Sequence, residues 1–268
     1  MRAAVVHAEV HEAADGSAGG PVVLLHGLGS RAADWRFQIP AFQAVHRVVA
    51  VDLHGHGGSP LPVGRCSVEG MARDVAALLG RRGEAAAHVI GLSLGACVAL
   101  RLTLQEPARV RTLTLVNGFA RWQPAGGRGA ARALLRLALL VGAPMPVVAA
   151  HVAGTPFPGP DQRHLYAQAV ASLTAVSRRA YLANLRALAR FDVRGQLAAV
   201  RRPTLVVAGA CDRTVPLAAK RAPRARHSRR APGRRAGLRA RDAHGPGRRV
   251  QPRRARLHRR ALSARPVR

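Results

Sequence analysis

Gly91-Leu92-Ser93-Leu94-Gly95 is the stretch whose residue types and spacing could do chemistry. It follows the β-branched run His88-Val89-Ile90 and precedes the helix-forming residues 96–102, which Pro107 must stop. Strand, Gly-x-Ser-x-Gly and helix together predict a turn so sharp that the serine is strained. The glycines let strand and helix approach closely. The serine oxygen then stands clear of the sheet at a helix N-terminus, where amide groups and the dipole favour an anion. That is a setting for nucleophilic attack. Asp212, His244, His26 and Asp52 are candidates for acid–base work beside it.

Elements must position these groups. Pro21-Val22-Val23-Leu24-Leu25 and Val48-Val49-Ala50-Val51 are continuous apolar runs, as expected of buried parallel strands. A helix is expected over residues 32–42. A second should run from an N-cap at Ser67 through Met71, Val75, Ala76, Leu78 and Leu79. Thr112-Leu113-Thr114-Leu115-Val116 is a further strand, and Leu205-Val206-Val207-Ala208 another. Strands alternating with helices predict βαβ units and a mostly parallel sheet. Residues 118–195 break the alternation with leucine-rich helices, around 134–140 and 181–191, punctuated by Gly and Pro.

Ordered along the chain stand His26-Gly27-Leu28-Gly29, Asp52-x-His-Gly-x-Gly-x-Ser59, Gly91-Leu-Ser-Leu-Gly95 and Gly209-Ala-Cys-Asp212-Arg-Thr-Val-Pro216. This set resembles the α/β-hydrolase superfamily over residues 21 to about 218. The resemblance implies an α/β fold with a mostly parallel central sheet flanked by helices and a helical cap. Residues 1–117 and 196–219 would be core, and 118–195 the cap over the active site. It implies a serine hydrolase acting on a carboxylic ester or related small acyl substrate, with no cofactor and no metal. Ser93 would be the nucleophile, the amides of Leu28 and Leu94 the oxyanion hole, and Asp212 the group that orients the base. His26 would be structural, packing beneath its loop, and Asp52 would tie down the glycine-rich turn that follows it. Serine at the elbow, where epoxide hydrolases and haloalkane dehalogenases carry aspartate, separates the chain from those relatives. Enol-lactonase, thioesterase, C–C hydrolase and perhydrolase chemistry all remain open.

The net charge of +30 is unevenly spread. Residues 220–268 hold nineteen of the 43 basic residues but one of the 13 acidic ones, Asp242, and contain no aromatic residue. Such a composition cannot build a core. The family resemblance requires a histidine base after one more strand, and none is legible there. His244 stands 32 positions after Asp212 without an apolar run to hold it, a stand-in at best.

The genetic code offers another explanation. Dropping the first base of the codons allowed for residues 227–257 permits a Leu-Val-Val-Val strand, then a Gly-His pair, then an amphipathic helix. That histidine would fall at the position of Ala240. The tail is then an out-of-frame reading of the family's last strand and helix. If the tail is genuine, the alternative is a silent hydrolase fold with a basic arm for nucleic acid. The arm lacks aromatics for stacking on bases.

The three cysteines, Cys66, Cys97 and Cys211, are widely spaced, which argues for reduced thiols in a cytoplasm. The start carries no apolar leader, and residues 134–153 are too interrupted by Arg, Gly and Pro for a membrane span, so no membrane partner is expected.

Overall fold

The computed structural model describes residues 5–16, 19–123 and 126–209; of Arg128 only the backbone is described. Asp212 and His244, together with the whole basic segment, lie outside the described residues.

Among the described residues six strands form one sheet in the order β1-β3-β2-β4-β5-β6. They are β1 (Ala8–His11), β2 (Val22–Leu25), β3 (Val48–Val51), β4 (Ala87–Leu92), β5 (Val110–Val116) and β6 (Thr204–Val207). β1 runs antiparallel to β3, and every other pairing is parallel. The apolar runs of β2 and β3 are buried along their whole length, because helices cover both faces of a parallel sheet.

Helix α1 (Ile39–Gln43) is much shorter than the stretch expected to be helical. Residues 32–42 instead form a 3-10 turn over Ala32–Trp35 and then this single short helix. Pro40 supplies no backbone donor and disfavours helical geometry in the residue before it, so a helix can start there but cannot run through. Helix α2 (Val68–Arg81) begins where its cap predicts, with the Ser67 hydroxyl accepting from the Gly70 amide at 3.1 Å. Helix α3 (Leu94–Gln105) is buried on nearly every side, packed between the sheet and α2.

Between β5 and β6 the described residues form four α-helices, α4 (Gly126–Gly142), α5 (Met145–Ala153), α6 (Arg163–Thr174) and α7 (Arg178–Arg190). They build their own apolar cluster from Leu140, Val148, Ala149, Leu173, Val176 and Tyr181. Leu28 and Leu61 of the core pack against that cluster. Pro144 separates α4 from α5. No helix among the described residues is long and apolar enough to cross a membrane.

β6 lies at the sheet edge and is exposed throughout, with Leu205 59 % exposed. It pairs with β5 on one side, from Leu113 opposite Thr204 to Val116 opposite Val207.

Candidate active site

The geometry of the 91–95 turn follows from its glycines. β4 delivers the chain to Ser93, and α3 starts at the next residue. Ser93 has φ 52° and ψ −108°, one of two non-glycine residues with positive φ among those described. This is a conformation L-residues avoid, and its cost of about 1–3 kcal/mol must be met by the surroundings. Those surroundings are rigid. The Ser93 amide donates to the Val116 carbonyl at 2.9 Å, and the Gly95 amide donates to the His26 carbonyl at 3.0 Å. A Cβ on Gly91 would collide with the Gly95 carbonyl, and one on Gly95 with the carbonyls of Leu25 and His26. Only glycine permits strand, turn and helix to close this tightly.

The loop after β2 passes beside the serine. A Cβ placed on Gly27 would lie 3.6 Å from the Ser93 Cβ. The amides of Leu28 and Leu94 have no hydrogen-bond partner among the described residues. Two unpaired donors next to a strained serine are what an oxyanion hole requires.

Two histidines, His26 and His56, hold this loop. His26 is buried, and its Nδ1 donates to the Gly27 carbonyl at 2.8 Å while its Nε2 accepts from the Leu53 amide at 2.9 Å. Both ring nitrogens are used, so His26 is structural, and burial lowers its pKa. His56 is equally buried. Its Nδ1 donates to the His54 carbonyl at 2.9 Å, which leaves Nε2 to accept the Gly29 amide at 3.1 Å. Burial and then the neighbouring His26, 5.0 Å away ring to ring, push the His56 pKa down to about 3. A neutral ring is the form that accepts at Nε2. His54 pairs through Nε2 with buried Asp74 at 2.6 Å.

Asp52 has a structural role too. Its Oδ1 accepts from the Ala32 amide at 2.6 Å, and its Oδ2 accepts from the Gly58 amide at 2.9 Å and faces His7 Nδ1 at 2.8 Å. The aspartate therefore ties the residue before β1, the glycine-rich turn after β3 and the 32–35 turn together, and its hold on the glycine-rich turn is the expected part.

Asp34 ties the helical insertion to this loop. It accepts from Gln168 and Ser172 of α6 through Oδ1, and from Ser30 and the Arg31 amide through Oδ2. Burial alone would raise its pKa. The hydrogen bonds from Gln168, Ser30, Ser172 and Arg31 outweigh that and hold it below the usual carboxylate range. Gly29, at φ 85°, packs against Leu173 of the same helix with no room for a Cβ.

The strand that leads to Asp212 is anchored at its end. The Asn117 amide donates to the Val207 carbonyl at 2.8 Å, and the Asn117 side chain accepts from the Gly209 amide at 2.9 Å. Asp212 is three positions further along the sequence from Gly209 and lies outside the described residues, as does His244. Sequence reasoning missed the roles of His7, His56, Asp34 and Asn117. Of these only His56 carried a signal, its place inside the Gly-x-Gly turn. No group of three or more His, Cys, Asp or Glu suited to a metal occurs among the described residues.

Comparison with known proteins agrees with this geometry. A family model described as the alpha/beta hydrolase fold matches residues 20–139. The chain is 39 % identical over 222 residues to "Putative carbamate hydrolase RutD" of Variovorax paradoxus, covering 79 % of this chain and 80 % of that one. It is 30 % identical over 198 residues to 3-oxoadipate enol-lactonase 1 of Acinetobacter baylyi, covering 71 % of each. Among solved structures, a hydrolase from Pseudomonas aeruginosa superposes with a TM-score of 0.70 at 30 % identity, over 80 % of both chains.

Proposed function

The chain belongs to the α/β-hydrolase family, and from that premise we propose that it is a serine hydrolase of small acyl compounds. One observation carries the proposal. Ser93 is held at φ 52° beside the amides of Leu28 and Leu94, which have no partner among the described residues. A base removes the Ser93 proton as its Oγ attacks the substrate carbonyl. The tetrahedral oxyanion is received by the two amides, the leaving group departs with the proton, and water then cleaves the acyl-enzyme. No cofactor is needed for these steps.

Asp212 is the group assigned to orient the base. The base itself is the weak point of the chain as written, since His244 is the candidate it offers. The shifted reading frame offers instead a histidine at position 240. We therefore assign full activity to the restored frame and a much reduced rate to the written chain. The relatives bear names of a carbamate hydrolase and an enol-lactonase. Both reactions attack a carbonyl carbon bearing a heteroatom leaving group, so a carbamate, lactone or ester is the substrate class this reading selects. Cys66 and Cys97 are free and buried, which supports a reducing, cytoplasmic setting.

A panel of p-nitrophenyl esters, a lactone and a carbamate tests the reading. Hydrolysis that disappears in Ser93→Ala supports it. Hydrolysis that persists in Ser93→Ala refutes it.

A further inference from the structure

Helix α4 is apolar on two sides. Leu139 and Leu140 seat it in the apolar cluster of the helical insertion. Arg178 fixes its C-terminal end by donating to the carbonyls of Leu140 at 2.7 Å and Val141 at 3.0 Å. The opposite side carries Leu134, Leu137, Ala138 and Val141, spaced i, i+3, i+4 and i+7 and therefore one stripe. All four are exposed, Val141 by 83 % and Leu134 by 67 %. Leu135, on the shoulder of the stripe, is exposed too, and so is Val147 in the first turn of α5. A continuous apolar strip facing water on a helix with a fixed seat marks a surface that something covers.

Charge selects the cover. No acidic residue occurs between Glu106 and Asp161, and residues 118–195 hold ten arginines against two aspartates. Arg132 is exposed one turn before Leu135, at the border of the stripe. Residues 220–268 are of the same sign, so charge argues against that segment as the cover. It argues against a second copy as well. The stripe also offers on the order of a few hundred Å², where a stable dimer buries about 800 Å² on each partner.

An anionic lipid surface matches both halves of the patch. Its acyl chains take the aliphatic side chains, and its phosphates take the arginines, whose stems reach along the helix. The leaflet that faces a cytoplasm is an anionic one. We propose that α4 is an interfacial helix that docks the protein reversibly on an anionic bilayer, with Leu134, Leu137 and Val141 among the acyl chains and Arg132 at the headgroups. The expectation of no membrane partner concerned spanning segments, and a helix that lies in the interface needs none. The docking surface stands whether or not Ser93 is a nucleophile.

Flotation of the full chain with vesicles of phosphatidylcholine, with and without phosphatidylglycerol, tests this. The chain should float with the anionic vesicles and stay behind with the neutral ones. Residues 220–268 add charge of their own, so the comparison of variants is made at raised salt, which screens that charge. Replacing Leu134, Leu137 and Val141 by serine should weaken partitioning about tenfold per residue. The same variants should melt near the parent, because the positions are exposed. Leu137→Trp places a reporter on the stripe. Brominated acyl chains should quench the emission it adds, which charge held at the headgroups alone would not allow. Ser93→Ala should float as the parent does. The proposal is overturned if neutral vesicles bind equally, if the serine variants bind as the parent, or if the added tryptophan is not quenched. It is overturned as well if the parent self-associates and the serine variants dissolve the dimer, or if an acidic amphipathic peptide binds the stripe where vesicles do not.

Discussion

His56 Nε2 accepts the amide proton of Gly29 at 3.1 Å, so the turn after β3 and the loop after β2 are locked to one another. The next amide upstream, that of Leu28, is thereby held in place and left free. His56→Gln should lower kcat by about 10- to 100-fold with little change in KM, since on the proposed mechanism it loosens a transition-state donor and not a ground-state contact. Steady-state kinetics on the most reactive ester checks the split. The same ring should shape acid stability. Its folded pKa of about 3 lies below the ordinary value of 6.5, so the unfolded chain binds the extra proton first. Stability should be complete above pH 6.5 and fall toward pH 3, by up to about 1.4 kcal/mol per pH unit. Urea melts across that window should be flatter in His56→Gln.

Ser93 should weigh on the fold that presents it. At φ 52°, glycine is strain-free where serine is not. Ser93→Gly should stabilise the protein by about 1 kcal/mol, or about 2–4 °C, while abolishing hydrolysis. Ser93→Ala keeps the strain and should melt near the parent. Calorimetry of the two variants side by side is the check.

Asp52 and Asp34 should behave as structural acids. Asp52→Asn removes the charge that faces two amides and His7, and should cost about 2–4 kcal/mol of stability. The rate per folded molecule and its pH profile should not change, as they would if Asp52 took part in proton transfer. Asp34→Asn should free α6 from the 32–35 turn, read as faster amide exchange in α6 than in the sheet. Because the Asp34 pKa is depressed, the same loosening should appear in the parent as pH falls below the ordinary carboxylate range.

The edge strand carries the test of the reading frame. Leu205, Val206 and Val207 are exposed in the chain as written. Resequencing the codons for residues 217–224 should reveal a missed or added base. The restored-frame protein should protect β6 amides from exchange far more than the written chain does, because a further strand would pair with it. Unshifted codons together with unchanged protection would remove the frame explanation.

Local chemistry was the legible part of the sequence. The apolar runs of β2 and β3, the Ser67 cap and the 91–95 turn are each set by residues within one turn of one another, and each formed as expected. Pro40 was visible too, but its power to split a helix was overlooked. The roles of His7, Asp34 and Asn117 were not legible, and that of His56 was signalled only by its place inside the glycine-rich turn. Each depends on a partner more than 25 residues away, and a histidine, aspartate or asparagine in isolation does not announce whether its neighbours will satisfy it. The acid was named by the family resemblance and the base had only His244 as a stand-in, and both Asp212 and His244 lie beyond the described residues.

The central claim is that Ser93 is a nucleophile. A fluorophosphonate probe followed by peptide mass spectrometry tests it most directly. The account predicts one adduct, on Ser93, slow in the written chain, fast in the restored-frame protein and absent from Ser93→Ala. An adduct elsewhere, or labelling undiminished in Ser93→Ala, would contradict it.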